Sequence, residues 1–167
     1  MREKLLISTG GGDAPGLNAV IFAVVNSATR KGWEVYGSRA GYGGLLDRDD
    51  LIRLTPESVE GILSQGGTIL GSTNKGNPFA YREYGPDGVI STHDYSDRAV
   101  EFVRSLGLDC LFVVGGEGTL ELGYRLMQKG VPMIGIPKTI DNDLEGTDYT
   151  FGFQTAVQVA CDALDRL

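Results

Sequence analysis

Residues Leu108–Thr119 read LDCLFVVGGEGT. An apolar run of strand length passes, with no polar spacer, into two glycines, an acid, a third glycine and a threonine. That is the signature of a buried strand turning directly into a helix. Working outward, PMIGIP (132–137) is the next strand, and Ser96–Leu106 reads as a helix with Ala99, Phe102, Val103 and Leu106 on one face. Toward the N-terminus, Leu5–Ser8 is a short buried strand that ends in TGGGDAPG (9–16). Leu17, Val20, Ile21, Val24, Val25 and Ala28 then recur at helical spacing. WEVYGSRA (33–40) is a second strand followed by the turn GYGG (41–44).

Strands alternating with helices in this way specify an α/β fold: a doubly wound, mostly parallel sheet with helices on both faces. A helix is expected over about Pro56–Leu63, opened by TPES, and a short strand at Thr68–Leu70 within turn-rich sequence. A last helix is expected from near Gln154 to Leu167, with no closing signal.

The chain has 167 residues, enough for one domain with a sizeable core. Twenty-two acidic against 15 basic residues give a net charge of -7. Nucleic acid is therefore not the expected partner, because duplex binding needs a basic face. Residues 1–4 show no leader pattern, and no segment approaches the roughly 20 apolar residues of a membrane span. The expectation is a cytoplasmic protein. Cys110 and Cys161 do not suggest a disulfide framework or a zinc site, and Cys110 sits in an apolar run as a small core residue. His93, the single histidine, lies in the polar stretch STHDYSD and reads as a surface residue.

Ligands of doubly wound sheets bind beyond the carboxyl ends of the strands. Three clusters fall there: Gly10–Gly16, Gly115–Gly118 and Thr139–Asp143. The first has neither Gly-x-Gly-x-x-Gly spacing nor a Gly-Lys-Ser/Thr, yet its glycines would let backbone N–H groups approach a phosphate at a helix start. A tight strand-to-helix turn explains it equally well. In the second, Thr119 can cap the helix while Glu117 stands at the positive end of its dipole. Simple capping accounts for that cluster, and so does a carboxylate holding a hydrated magnesium ion. In the third, Asp141, Asp143 and Glu145 crowd within five positions. An Asx-turn cluster would explain them. Two aspartates at i and i+2 of an extended segment would also point the same way, toward a cation or a proton transfer.

Together TGGGDAPGLNAVI, GGTILGS, VVGGEGTL and PKTIDNDLEGTDYTFGFQTAV resemble, in order, the phosphofructokinase family. The resemblance implies that family's Rossmann-like N-terminal domain and magnesium-dependent transfer of a phosphoryl group to the 1-hydroxyl of fructose 6-phosphate, a step of glycolysis. By resemblance, Asp141 is the base that accepts the sugar hydroxyl proton, with Thr139 beside it as a second catalytic residue, on the transferring phosphoryl group. Glu117 and Asp143 are the magnesium carboxylates. Gly12, Lys75, Gly116, Gly118, Thr119 and Lys138 are donor-binding positions. Residues 1–152 are then the donor-binding domain, and 153–167 open the helix toward a sugar-phosphate domain that this chain does not include. A homo-oligomer is implied for the full-length enzyme.

Two family signals on the donor conflict. Gly118 goes with ATP, whereas Lys138 before TIDND goes with pyrophosphate in many members. An intermediate branch that uses ATP combines the two. A carboxylate at 118 would crowd and repel a nucleotide, so ATP is the expected donor and pyrophosphate the alternative. Leu122 stands where familiar ATP enzymes have a glycine, with Gly123 one residue on. Glu117 replaces a more usual aspartate, and Lys75 is the nearest match to an arginine by the transferring phosphate. Phe22 and Asn26 occupy the positions of two effector-binding arginines, so that regulatory site is expected to be absent. The match covers roughly the first half of the family's catalytic chain, which leaves weak donor binding and little turnover as the expectation for this chain alone. A non-catalytic donor-binding module is the rival reading; a flavodoxin-like carrier lacks an aromatic stack for a flavin.

Overall fold

In the computed structural model, which describes residues 3–167, β1 (Lys4–Thr9) lies inside a six-stranded sheet. Met1 and Arg2, part of the stretch read for a leader, lie outside the described residues. The remaining strands of the sheet are β2 (Glu34–Ser38), β3 (Leu51–Leu54), β6 (Cys110–Gly115), β7 (Met133–Thr139) and β8 (Phe151–Gly152). Their order is β3-β2-β1-β6-β7-β8, parallel except where β3 runs antiparallel to β2. A separate hairpin pairs β4 (Tyr81–Tyr84) with β5 (Ile90–His93).

Strands buried on both faces need unbroken apolar sequence, and LLI in β1 and LFVV in β6 supply it. Helix α1 (Leu17–Arg30) covers one face, packing Leu17, Ile21 and Val25 on Leu5, Ile7 and Val35. Helices α2 (Ser96–Leu106) and α3 (Glu117–Gln128) cover the other, with Val100, Val103 and Leu126 against Leu6, Leu111 and Val113. Helix α4 (Phe153–Leu164) buries none of its residues. Among the described residues no helix is long and apolar enough to cross a membrane.

The chain leaves β1 toward β2 and later returns to pair β6 on the other side of β1. The strand order therefore reverses between β1 and β6, and a crevice opens above their carboxyl ends.

Three expected elements differ. The helix expected over 56–63 is two short 3₁₀ turns, Glu57–Val59 and Ile62–Ser64. Glu60 is extended and Gly61 has φ +78°, which no α-helix accommodates between them. No strand forms at Thr68–Leu70, because Asn18 Oδ1 accepts from Ile69 N at 2.9 Å and Thr68 Oγ1 from Leu70 N at 3.2 Å. On α2 the fully buried positions are Ser96, Ala99, Val100 and Val103, with Phe102 and Leu106 half-buried. Cys110 is half-buried against the α1-side core. His93 is exposed on β5, stacked 5.5 Å from Tyr95.

Candidate active site

The three clusters meet. Gly11, Gly12, Glu117, Gly118, Thr119, Lys138, Thr139 and Asp141 line one cleft of about 690 Å³ at the switch point. The loop after β1 is tied down on both sides: Gly10 N donates to Val114 O at 2.9 Å and Gly11 N to Thr73 O at 3.0 Å. Gly11 has φ +80°, a left-handed conformation that favours glycine. Gly12 is exposed, and a Cβ there would meet nothing within 4 Å. Gly16, at φ +95°, leads into α1 with its first turn toward the same end of the sheet.

Helix α3 starts at Glu117, with Gly116 as its N-cap and no side-chain capping bond. Thr119 is therefore not the cap: it sits inside the first turn, wedged against Gly10 and Gly115. Glu117 and Gly118 are exposed in that turn, where unpaired N–H groups and the dipole favour negative charge. Tyr42, buried at the cleft wall, donates its hydroxyl to Thr119 O at 2.7 Å, and burial pushes its phenol far above the usual range. Leu122 lines the cleft. Gly123 does not stand in for it: a Cβ there would lie 2.8 Å from Met133 Sδ and 2.9 Å from Tyr42 Oη, so this glycine is taken up by packing behind the wall.

At the end of β7, Thr139 Oγ1 accepts from Asp141 N at 3.1 Å, and Thr139 O accepts from Thr150 Oγ1 at 2.9 Å. Between the two aspartates Asn142 has φ +54° and a side chain that accepts from Thr150 N at 2.9 Å and donates to Asp148 O at 3.2 Å. The segment is not extended, so the expected like orientation of Asp141 and Asp143 fails. Asp141 lines the cleft, while Asp143 lines an adjoining hollow with Glu121 and Glu145. Glu117 and Glu121 belong to both walls.

Lys138 is buried at the cleft floor and donates from Nζ to Gly12 O. Burial lowers its basicity, which nearby Asp13 partly restores. Lys75 is exposed at the mouth, its N–H held by Thr73 Oγ1 at 3.0 Å. Asn18 and Tyr42 were not singled out from sequence. Their signals were a polar residue on the buried stripe of α1 and an aromatic between turn glycines. On α1, Phe22 packs on the core and Asn26 Nδ2 donates to Phe22 O at 2.9 Å.

A family model described as Phosphofructokinase matches residues 4–167. The chain is 52% identical over 166 residues to the ATP-dependent 6-phosphofructokinase 2 of Clostridium perfringens (strain 13 / Type A), covering 99% of this chain and 45% of that protein. It is 46% identical over 166 residues to the pyrophosphate–fructose 6-phosphate 1-phosphotransferase of Streptomyces coelicolor, covering 98% and 45%. It superposes on the crystal structure of Pichia pastoris phosphofructokinase in the T-state with a TM-score of 0.82 at 30% identity, covering 99% of this chain and 18% of that one. The chain spans about half the length of the curated relatives it matches.

Proposed function

The chain belongs to the phosphofructokinase family, and on that premise we propose that it provides the donor-binding and proton-accepting side of an ATP-dependent 6-phosphofructokinase. The reaction is transfer of the terminal phosphoryl group of ATP to the 1-hydroxyl of fructose 6-phosphate, giving fructose 1,6-bisphosphate. The observation that carries this reading is the meeting of the two glycine turns and the Thr139–Asp141 segment in one cleft. Phosphoryl transfer depends mainly on positioning and charge neutralisation, and such a cleft offers backbone donors, positive charge and a carboxylate together.

In this reading the backbone at Gly12, Gly116 and Gly118 and the first turn of α3 up to Thr119 receive the donor phosphates, with Lys75 at the mouth and Lys138 at the floor. Asp141 takes the proton from the attacking hydroxyl, and Thr139, bonded to the Asp141 amide, helps hold that segment. The oxygen donors fit magnesium, a hard cation that takes one or two carboxylates and keeps several waters. Glu117 would hold it with Asp143 as second carboxylate, and when bound it supplies neutralisation of phosphate charge. Residues 1–152 form the donor domain and 153–167 the lead into a sugar-phosphate domain. Cytoplasmic location and homo-oligomerisation of the full-length enzyme belong to the same proposal.

Gly118 supports ATP because no side chain stands between the α3 turn and the cleft. Leu122 on the wall supports the pyrophosphate-dependent alternative. Calorimetric titration with Mg·ATP and, separately, Mg·pyrophosphate decides between them. Tighter binding of ATP is expected, and tighter binding of pyrophosphate would transfer the assignment. The relatives carry about as much polypeptide again, so binding rather than turnover is the measurement suited to this chain.

A further inference from the structure

Lys138 is the one buried residue of β7, and its ammonium does not wait in the cleft for a ligand: it is bonded to the Gly12 carbonyl. Strand β6 lies between β7 and β1, so this side chain crosses the end of β6 to reach the loop that follows β1. Gly116, at the start of α3, stands beside the crossing, since a Cβ on it would lie 3.5 Å from Lys138 O. A Cβ on Gly11 would lie 3.6 Å from Nζ, so the ammonium is seated against the loop itself. Burying a charged group is unfavourable unless it is hydrogen-bonded, and the carbonyl is the hydrogen-bonded partner on hand. Asp13, next along the loop, adds attraction that partly offsets the loss of basicity caused by burial.

We propose that Lys138 is a positioning residue, whose bond to the Gly12 carbonyl fastens the donor loop after β1 to the end of β7, so that the donor loop and the Thr139–Asp141 segment are held as one unit before any donor arrives. The inference rests on the reading of this cleft as a phosphate-donor site and deepens it. Lys138 then serves ATP and pyrophosphate alike, because it acts through the loop, and the choice between donors lies elsewhere on the wall. Two N–H bonds of the ammonium remain, but the fastening bond needs no ligand to form.

Three measurements test this on the chain. In wild type without donor, the Lys138 ammonium resonance should be protected from exchange and show contacts to Gly12; a freely exchanging ammonium would overturn the proposal. This needs no variant and holds even if one fails to fold. In Lys138→Met, amide exchange at Gly11, whose N–H is bonded to Thr73 O, should rise on the order of tenfold without donor, the scale of one lost charge-assisted hydrogen bond. Exchange in β6 and α2 should stay unchanged. Unaltered exchange at the loop would overturn it. Titrated with Mg·ATP and with Mg·pyrophosphate, Lys138→Met should lose affinity for both by similar factors. A loss confined to one donor would make Lys138 a donor-selecting ligand and overturn the proposal. Should wild type bind neither donor, the donor-site reading fails, while the two donor-free measurements still decide the fastening.

Discussion

Thr119 occupies the space that a side chain on Gly115 would need: its Cβ and Cγ2 both lie 2.5 Å from where the Gly115 Cβ would stand. The same side chain crowds Gly10, with Cγ2 at 2.7 Å and Oγ1 at 2.9 Å from that position. Neither glycine has a positive φ, so it is volume and not backbone freedom that excludes alanine here. Gly10→Ala and Gly115→Ala should each lower unfolding free energy by about 1–3 kcal/mol, the usual result of overpacking. Adding Thr119→Ser removes Cγ2 and should restore part of the loss in Gly10→Ala. It should restore little in Gly115→Ala, where the Cβ of residue 119 remains in the way. Urea unfolding of the two double variants checks this, and equal rescue would show that Thr119 is not the wedge.

Tyr42 carries the neighbouring link, its hydroxyl on Thr119 O at 2.7 Å. Tyr42→Phe should cost about 1 kcal/mol at neutral pH. Burial raises the phenol above its ordinary 10.0 in the folded state, so only the unfolded chain ionises as pH first passes 10. The Tyr42 contribution is thus whole below that pH and is lost above it. The stability gap between wild type and Tyr42→Phe should vanish within about one pH unit beyond 10 and then reverse, since each unit takes off about 1.4 kcal/mol. Other tyrosines and lysines titrate in both proteins and cancel in the difference. A gap that stays constant to pH 11 would exclude a buried, hydrogen-bonded phenol at this position.

Asn18 fastens the Gln65–Ile69 loop to the start of α1. Its amide donates to Gln65 O at 3.3 Å and Gly66 O at 3.1 Å, and its Oδ1 accepts from Ile69 N at 2.9 Å. Asn18→Ala should cost about 2 kcal/mol or more, since buried partners are left unpaired. Asn18→Asp keeps the acceptor yet turns a carboxylate toward two carbonyls, and should be no better. Faster amide exchange at Ile69 in both variants is the specific readout.

The parts of this fold that could be read from sequence are those with a strand-length apolar run beside turn glycines or an apolar stripe at helical spacing. Thus β1, β2, β6 and β7, and α1 and α2, stood out by composition and spacing. The hairpin β4–β5 did not, because Arg82, Glu83 and Tyr84 and all of β5 are exposed and carry no alternation. Strand β3 was missed because four residues on a sheet edge are too few for a period. The site divides in the same way. Three clusters at strand ends implied one cleft, and the cleft exists. That Asp141 and Asp143 face different hollows depends on the left-handed conformation of Asn142, a tertiary consequence of its bonds to Thr150 and Asp148. That Gly123 is a packing glycine depends on Met133 and Tyr42, far away in sequence.

Gly118 separates fold from function most sharply. A Cβ at this position would meet no atom of the chain within 4 Å, and its φ is not positive, so the fold itself does not require glycine. Glycine is among the poorest residues inside a helix, and an acid in the first turn is favoured by the dipole. Gly118→Asp should therefore raise unfolding free energy by roughly 0.5–1 kcal/mol. The same carboxylate enters the cleft where an ATP phosphate is proposed to lie, and Mg·ATP affinity should fall by at least about tenfold, the scale of one like-charge contact in a partly dry site. Mg·pyrophosphate, with no nucleoside end to accommodate, should be affected less. Thermal unfolding and calorimetric titration of the one variant give both numbers. Opposite signs are expected, a higher midpoint with weaker ATP binding. Unchanged ATP affinity would mean that the nucleotide does not pass beside residue 118, and the preference for ATP would lose its physical basis.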